Sequence, residues 1–268
     1  MTNFFPESKP MGRRKFMTLG FQGAVAMALT PTMVKTLLAA GNQAKLEVPP
    51  ELLQKVIASA LKRGGDFAEV YVENRISRTI LLEEGKFKSA VFGLVGGAGV
   101  RVIDGDKTGY AYSDEVSEEK LLRAAEVASF IASSAKKIKP VNIKEQKRPS
   151  YVTVKIPLEE VAEARRMEIM KRAEEAALSY DPRIKMASID YYDETRDRLI
   201  ANSEGLLVKS SLPLIFFIVQ TLAVDKGSSH MGRERLSRHA GLEMFEEESP
   251  EKAAKEAARE SIAMLEAK

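Results

Sequence analysis

Cysteine is absent from this chain of 268 residues, and histidine occurs only twice, at His230 and His239. Without cysteine there are no disulfides, thiolate zinc sites, iron–sulfur clusters or thiol nucleophiles. A catalytic zinc needs three protein ligands, two of them closely spaced on one element. The two histidines are far apart in sequence and neither has a neighbouring Glu, so we expect both to be surface loop residues and expect no metal site in this chain.

A strong excess of either charge is missing as well. The chain has 41 Lys and Arg against 38 Asp and Glu, which gives a formal net charge of +3. A nucleic-acid-binding domain would need a basic stripe with interleaved aromatic residues, so we expect no nucleic acid partner. Hydrophobic residues make up 44% of the chain, which is ordinary for a globular protein, and the length allows a core without disulfides.

The N-terminal region contains the parts of an export signal in their usual order. Arg13 and Arg14 precede an apolar stretch of small residues from Leu19 to Leu29, and Pro31 follows. The paired arginines indicate the twin-arginine route, which is read by a receptor. The apolar stretch is too short to cross a bilayer. Residues 1–44 are therefore interpreted as a signal for export to the periplasm or another extracytoplasmic space, the alternative being an ordinary amphipathic helix.

The pattern after residue 45 alternates between helical and strand periods. Apolar residues spaced three to four apart predict helices, and period-two alternation predicts strands. Asp104-Gly105 between two alternating runs indicates a hairpin. The first set of elements comprises a helix at 52–61, strands at 67–73, 79–83, 99–103 and 108–112, and a helix from Ser117 to about Ser133.

A second set follows the basic connector at residues 136–150. The segment from Leu214 to Val224 is almost entirely apolar, so we expect it to be buried on both faces. Residues 226–241 are polar and predict a loop. The remaining elements of this half are a strand at 151–156, a helix at 158–178, strands at 186–194, 198–202, 206–212 and 214–224, and a last helix from Ser249.

The two halves resemble each other in element order and in a short motif. Residues 70–75 (VYVENR) are similar to residues 191–196 (YYDETR). This favours an α+β fold with two consecutive units of antiparallel sheet flanked by helices over one open α/β sheet. The predicted divisions are residues 1–44 for the signal, 45–138 for an N-terminal domain and 139–268 for a middle domain ending in a helix.

No catalytic motif emerges from the residues themselves. The glycine-rich run from Gly93 to Gly99 lacks the Gly-Lys-Ser/Thr ending of a phosphate loop and precedes a strand, so we interpret it as a close approach or bulge between strands. Ser228-Ser229-His230 lacks a nucleophile elbow. The Glu-rich helices are interpreted as solvated faces.

Several separate segments resemble the N-terminal domain of the TldD/PmbA family of metallopeptidases. They are Gly65 to Glu73, Leu82 to Lys86, Gly97 to Val102 and Thr108 to Asp114. The second half resembles the family's middle domain more loosely. The resemblance implies a zinc-dependent peptidase that acts on unfolded peptides and works as paired subunits, one of them lacking the metal site.

The family's active subunit carries a His-Glu-x-x-x-His motif, and this sequence has no His-Glu pair. We therefore expect no catalytic residue, metal ligand or cofactor in this chain, with zinc belonging to the family's C-terminal catalytic domain, which is absent here. The first reading is the N-terminal part of a peptidase, truncated or split and inactive alone. The others are a non-catalytic partner in a homo- or heterodimer or a peptide-binding module, and a binding protein of the cell envelope. Whether the chain alone is an enzyme stays open.

If the chain binds peptide, the first candidate contacts are Arg101, Tyr110 and Tyr112. They lie on the hairpin of the best-matched region and would contact the backbone of an extended peptide that adds to a sheet edge. The competing interpretation is that the three side chains are ordinary cross-strand packing partners.

Overall fold

The computed structural model describes residues 46–132, 142–147 and 152–267. Within these ranges the chain forms helices and strands in an α+β arrangement, as predicted. The elements are α1 (Pro50–Ala60), β1 (Phe67–Glu83), β2 (Lys86–Asp104), β3 (Lys107–Ser113), α2 (Glu118–Ile131), β4 (Lys144–Glu145), a 3₁₀ turn (Leu158–Glu160), α3 (Glu163–Leu178), β5 (Ile184–Asn202), β6 (Leu206–Asp225), β7 (Ser228–Arg238), α4 (Met244–Glu247) and α5 (Pro250–Glu266).

The strands form one seven-stranded sheet in the order β3-β2-β1-β5-β6, with β4 and β7 both pairing with β6. All neighbours are antiparallel except the short β4, which is parallel to β6. The two halves of the chain meet where β1 pairs with β5 over fifteen residue pairs, from Glu69↔Asn202 to Glu83↔Ser188. The antiparallel sheet flanked by helices is confirmed, and its two units are joined edge to edge.

The sequence echo between the halves corresponds to a local two-fold relation in the sheet. Each half runs helix, three antiparallel strands, helix. In the β1–β5 pairing, Arg75 lies directly opposite Arg196, and these two arginines are equivalent positions of the repeated motif. A pseudo-two-fold axis therefore passes between Arg75 and Arg196 and relates β1 to β5.

All the long helices pack on one face of the sheet and bury two separate cores. One core lies beneath α1 and α2 and includes Leu53, Val72 and Leu121. The other lies beneath α3 and α5 and includes Met170 and Phe217. Burial of such side chains contributes roughly 1.5–3 kcal/mol each. Among the described residues, no helix is long and apolar enough to cross a membrane.

A buried ion pair ties the second helical layer to the sheet. The Arg166 guanidinium on α3 and the Asp193 carboxylate on β5 are both fully buried, with Nε 2.8 Å from Oδ2. Arg166 also donates to the carbonyls of Val161 and Leu158 at 2.7 and 2.6 Å, which fixes the 3₁₀ turn. The Tyr191 hydroxyl donates to the same carboxylate at 2.7 Å, and burial raises the pKa of Tyr191 well above its usual value. The Arg166 guanidinium and the Tyr191 hydroxyl thus both donate to the Asp193 carboxylate.

Two sequence-based predictions give the wrong kind of element, and three pairs of predicted strands are in fact the single strands β1, β5 and β6. Residues 228–238, predicted as loop, form strand β7, which pairs with β6 from Ile215↔Arg238 to Asp225↔Ser228. Its one buried position is Gly232. A Cβ there would lie 2.0 Å from the Ala257 carbonyl oxygen of α5, so a glycine is needed where β7 approaches this helix. Without an apolar face, β7 has no period-two hydrophobic pattern. Residues 152–156, predicted as strand, do not form one.

The burial of β6 also differs from expectation. From Leu214 to Val224 the side chains alternate between buried and half-buried, so only one face of this apolar strand is covered by helices. Phe216 and Ile218 lie on the other face, where Phe216 contacts Tyr192 at 6.0 Å between ring centroids and the Arg235 guanidinium at 6.0 Å. Aromatic and Arg contacts across strands thus take the place of a second layer on this face.

Replacing Asp193 with Asn tests the buried ion pair. The change leaves the Arg166 guanidinium buried without its carboxylate, so we expect the free energy of unfolding to fall by about 3–5 kcal/mol in urea denaturation. Glu256→Gln is the matched control, since it removes the carboxylate of the exposed pair with Arg259 and should change stability little. Equal small losses for both variants would contradict a stabilising role for the buried pair.

Candidate functional site

The face of the sheet opposite the helices is open across the part of the chain that the structure describes. It is lined by alternate residues of β1 and β5, most of which are half-buried. Their side chains are mostly aromatic, acidic or basic, in contrast to the aliphatic side chains on the helical face. The open face therefore carries most of the polar, charged and aromatic side chains of the two central strands.

A ladder of Tyr, Glu and Arg side chains runs across the centre of the open face. The Tyr71 hydroxyl donates to Glu73, and in the equivalent half the Tyr192 hydroxyl donates to Glu194 at 2.6 Å. The pKa of Tyr192 is raised to about 12, mainly by burial and next by its hydrogen bond to Glu194. The pKa of Tyr71 is also raised, mainly by burial and next by its hydrogen bond to Glu73. Both phenols therefore stay protonated and act as donors at neutral pH.

The carboxylates of the ladder separate arginines that would otherwise repel one another. Arg75 and Arg196 face each other across β1 and β5, and the Glu194 carboxylate lies 3.9 Å from the first and 2.9 Å from the second. On the first half, Glu73 lies 3.5 Å from Arg198. Like charges directly opposite each other destabilise a sheet, so these carboxylates hold the centre of the face together.

An open groove of about 330 Å³ lies at the β3 side of this ladder. Its walls are Tyr110 and Tyr112 from β3, which are 56% and 78% exposed, and Tyr71 from β1. Two carboxylates, Glu73 and Asp114, also reach it. The groove therefore combines exposed aromatic rings with negative charge.

The floor of the groove is backbone, because β2 supplies glycines where its side chains would project into it. A Cβ at Gly97 would lie 2.6 Å from the Ser113 carbonyl oxygen, and one at Gly99 would lie 2.4 Å from the Tyr110 hydroxyl. Glycine thus lets the end of β3 and the Tyr110 ring approach β2 closely. The glycine-rich run is a close approach between strands, as interpreted from the sequence, and it also forms the groove floor.

The structure places the three sequence-predicted contact residues on the same face but not all in the groove. Tyr110 and Tyr112 line it. Arg101 lies directly opposite Tyr110 on the neighbouring strand, and its guanidinium pairs with Glu69 at 2.8 Å. Arg101 is therefore half-exposed beside the groove.

Sequence reasoning missed Tyr71, Glu73 and Asp114 as groove residues. Tyr71 and Glu73 are on β1, and β2 lies between β1 and β3 in the sheet. Only the register of the three strands brings these two residues beside Tyr110 and Tyr112. A signal was present in the glycines, since Gly97 and Gly99 occupy alternate positions and so face the same side of the sheet. Because neither glycine has a side chain on that side, this spacing predicts a patch of accessible backbone on one face of the strand.

The histidines do not come together. His230 lies near the start of β7, and His239 follows its end, where its Nδ1 is 2.9 Å from the Pro213 carbonyl oxygen. A strand of this length separates them by roughly 30 Å. Within residues 46–132, 142–147 and 152–267, no group of three or more His, Asp, Glu or Cys side chains is placed to hold a metal ion. The residues described do not fit a zinc ion. Arg13 and Arg14 lie outside the described residues.

Comparison with known proteins identifies relatives of this chain. Residues 68–132 match the description "PmbA/TldA metallopeptidase domain 1", and residues 156–265 match "PmbA/TldA metallopeptidase central domain". Together the two matches cover most of the described residues. The chain belongs to the TldD/PmbA family. The resemblance noted from the sequence is confirmed.

Curated relatives named as TldD metalloprotease homologues extend well beyond this chain. One from Buchnera aphidicola (Acyrthosiphon pisum strain) is 30% identical over 63% of this chain and 35% of its own length. One from Haemophilus influenzae is 26% identical over 68% of this chain and 38% of its own length. The chain thus spans little more than a third of the TldD relatives it matches.

Solved structures confirm the fold. A protein from Thermotoga maritima, described as a candidate modulator of a DNA gyrase, has a TM-score of 0.66 at 22% identity and covers 81% of this chain and 49% of its own. TldE from Thermococcus kodakarensis has a TM-score of 0.62 at 16% identity and covers 79% of this chain and 47% of its own. The sheet with helices on one face is thus shared with distant relatives.

Gly97→Ala tests the architecture of the groove floor. The added methyl group meets the Ser113 backbone, which cannot rotate away, so we expect a loss of about 1–3 kcal/mol in the free energy of unfolding and a displaced end of β3. Gly96→Ala is the control, because a Cβ there would be 3.4 Å from its nearest atoms. Chemical denaturation and amide chemical shifts of residues 111–114 measure both effects. Unchanged stability and shifts in Gly97→Ala would show that the approach is not tight.

Proposed function

We propose that this chain provides a peptide-binding region of a TldD/PmbA-type metallopeptidase, in which the groove above β2, between side chains of β1 and β3, holds part of an extended, unfolded peptide. The observation that carries the proposal is the groove itself, with a backbone floor, exposed Tyr110 and Tyr112 walls and two carboxylates, Glu73 and Asp114, among its lining residues. Tyrosine supplies a large contact area at a low entropic cost, which suits recognition of many sequences.

The charge of the groove favours one kind of peptide side chain. Asp114 is exposed at its rim, and Glu73 lies deeper, where the Tyr71 hydroxyl bonds to it. A Lys or Arg side chain would place its apolar stem between the tyrosine rings and its charge beside Asp114. We therefore expect peptides with a basic residue next to an apolar one to bind best.

Hydrolysis is assigned to a metal site outside the described residues. Zinc would supply the activated water in this family, but the histidines of this chain are too far apart to share an ion. The proposed role of this chain is to bind and position the peptide, and a His-Glu-x-x-x-His segment of another region or subunit would cleave it. Copurification with such a chain would support this division of labour.

A second candidate function is peptide binding in the same groove without any link to hydrolysis. In this alternative the chain is a non-catalytic partner subunit or a peptide-binding module of the cell envelope. The feature that favours it is the Arg13-Arg14 motif followed by a short apolar stretch, from which we propose export by the twin-arginine route. A stable chain that binds peptide without any partner would favour this alternative.

The peptide-binding proposal is tested by removing the groove walls. We expect the double change Tyr110→Ala and Tyr112→Ala to weaken binding of an unstructured, fluorescently labelled Lys-containing peptide about tenfold, as measured by anisotropy. Arg101→Ala, which removes a side chain beside the groove, should have a smaller effect. Tyr180→Ala is the control, because Tyr180 is exposed but does not line the groove. Unchanged affinity in the double variant would rule out the groove as the binding site.

The export proposal is tested separately by replacing Arg13 and Arg14 with Lys. The receptor of the twin-arginine route reads the paired guanidinium groups, so we expect the variant to remain in the cytoplasm while the unaltered chain appears in the periplasmic fraction. Lys15→Arg, which leaves the pair intact, is the control. Equal export of all three chains would contradict the twin-arginine interpretation.

A further inference from the structure

Four arginines on the open face of the sheet share an unusual shortage of hydrogen-bond acceptors. The Nε atoms of Arg75, Arg101, Arg196 and Arg198 are buried, and none of them donates a hydrogen bond to any residue that the structure describes. A buried donor without an acceptor lowers stability, so native structures rarely keep several of them together. Four such donors on one face indicate that this face is arranged for something other than stability alone.

Three of these residues, Arg75, Arg196 and Arg198, form an arginine cluster at the centre of the face. Arg75 and Arg196 lie directly opposite each other on β1 and β5, and Arg198 follows Arg196 on the same side of β5. The three side chains are 36%, 29% and 35% exposed, so their outer edges reach solvent. Arg101 lies outside this cluster, because it pairs with Glu69 at 2.8 Å.

The arginine cluster has more donors than the neighbouring carboxylates accept. Glu194 accepts from a tyrosine hydroxyl and from Arg196 at 2.9 Å, but it lies 3.9 Å from Arg75. Glu73 also accepts from a tyrosine hydroxyl, and its contact with Arg198 at 3.5 Å is not a hydrogen bond. Among the described residues, the guanidinium groups of Arg75 and Arg198 therefore have ion-pair contacts but no hydrogen bond.

Two members of the cluster can turn toward a ligand without losing a strong contact. Arg75 and Arg198 are diagonal neighbours on adjacent strands, so both are within reach of one small group above the sheet. Each would give up only a long ion pair at a solvated surface, which contributes little to stability. A planar guanidinium donates two parallel hydrogen bonds to a carboxylate. A carboxylate above these two arginines would therefore gain hydrogen bonds at little cost to the fold.

The charge balance favours a ligand with a single negative charge. The three arginines of the cluster are in contact with two carboxylates, Glu73 and Glu194, which leaves an excess of one positive charge. A carboxylate matches this excess. A phosphate monoester carries about two negative charges at neutral pH and would place the second one beside the two glutamates. The cluster therefore fits a carboxylate better than a phosphate.

The cluster lies beside the groove, at a distance that an extended peptide covers in a few residues. Gly97 of the groove floor, Glu73 of its lining and Arg198 occupy directly opposite positions on β2, β1 and β5. Val95, which also lines the groove, is opposite Arg75. Two strand spacings separate the floor from β5 by about 10 Å, which is the length of about three residues of extended chain.

We propose that the arginine cluster binds a carboxylate of the peptide held in the groove, supplied by the C-terminus of that peptide or by an acidic side chain at the same distance. The inference rests on the proposed peptide-binding function and adds a second contact to it. A basic residue in the groove and a carboxylate at the cluster, about three residues apart, fix the direction of the peptide across the strands. The carboxylate end then lies over β5.

Two matched peptides test the carboxylate contact on the unaltered chain. Both are unstructured, carry a fluorescent label at the N-terminus and have a Lys three residues before the end, but one ends in a free carboxylate and the other in an amide. We expect the free acid to bind about tenfold more tightly in anisotropy measurements at low ionic strength. The preference should shrink as salt is added. An amidated peptide with Asp at its last position distinguishes the two sources, because tight binding returns only if side-chain carboxylates are accepted.

The double change Arg75→Gln and Arg198→Gln tests where the carboxylate binds. The double variant should bind the free acid about tenfold more weakly than the unaltered chain does and should lose the preference for it. Its midpoint of urea unfolding should be unchanged or higher, because the change removes positive charges that face Arg196. Arg123→Gln, at an exposed position on α2, is the control and should keep both the preference and the midpoint.

The outcomes separate this inference from the peptide-binding function on which it rests. Equal binding of the free acid and the amide by the unaltered chain would overturn the carboxylate site and leave the groove as a peptide site. A preference that survives in the double variant would also overturn it, since the carboxylate would then bind elsewhere. If neither peptide binds, the peptide-binding function itself fails, and the carboxylate site fails with it.

Discussion

The pairing of β1 with β5 is the constraint on which the rest of this structure depends. It joins two units of the same plan through fifteen residue pairs and places all the long helices on one side. At its centre Arg75 and Arg196 face each other, and the Glu194 carboxylate lies between them and offsets their repulsion. Without that pairing each unit would have an exposed central edge, so neither the helical layer nor the open face would be continuous.

The open face and its groove follow from this arrangement. With helices on one side only, the polar residues of β1 and β5 face outward, where Tyr–Glu bonds and Glu–Arg pairs organise them. At the β3 end, glycines replace side chains, and the ladder gives way to a groove walled by tyrosines. Accessible backbone and exposed aromatic rings are therefore concentrated at the margin of the sheet.

The parts of the fold that could be predicted from sequence are those whose burial is periodic. The helix at 52–61 and the hairpin at Asp104-Gly105 are examples, because their apolar spacing or turn chemistry is local. The continuity of β1 was hidden, since Asn74 and Arg78 interrupt its buried face. They lie between the two helical cores, and Arg78 there contacts Asp193 and Glu163 instead of an apolar layer.

The candidate site was only partly predictable for a related reason. Tyr110 and Tyr112 stood out because they alternate on a short strand beside a turn. Tyr71 and Glu73 did not, because their approach to the groove depends on strand register, which the sequence pattern alone left open. The β7 strand was missed because Gly232, rather than an apolar side chain, faces α5. In each case tertiary contact decides what local pattern cannot.

Native-state hydrogen exchange tests the central claim, that the two halves form one cooperative sheet. Amides of β1 and β5 should exchange with the same, highest free energy of opening, and that value should fall equally in both strands as urea is added. Protection shared by β1 and β5 would support a single sheet held together by the pairing of β1 with β5. Exchange of β1, β2 and β3 through an opening that leaves β5, β6 and β7 fully protected would contradict it.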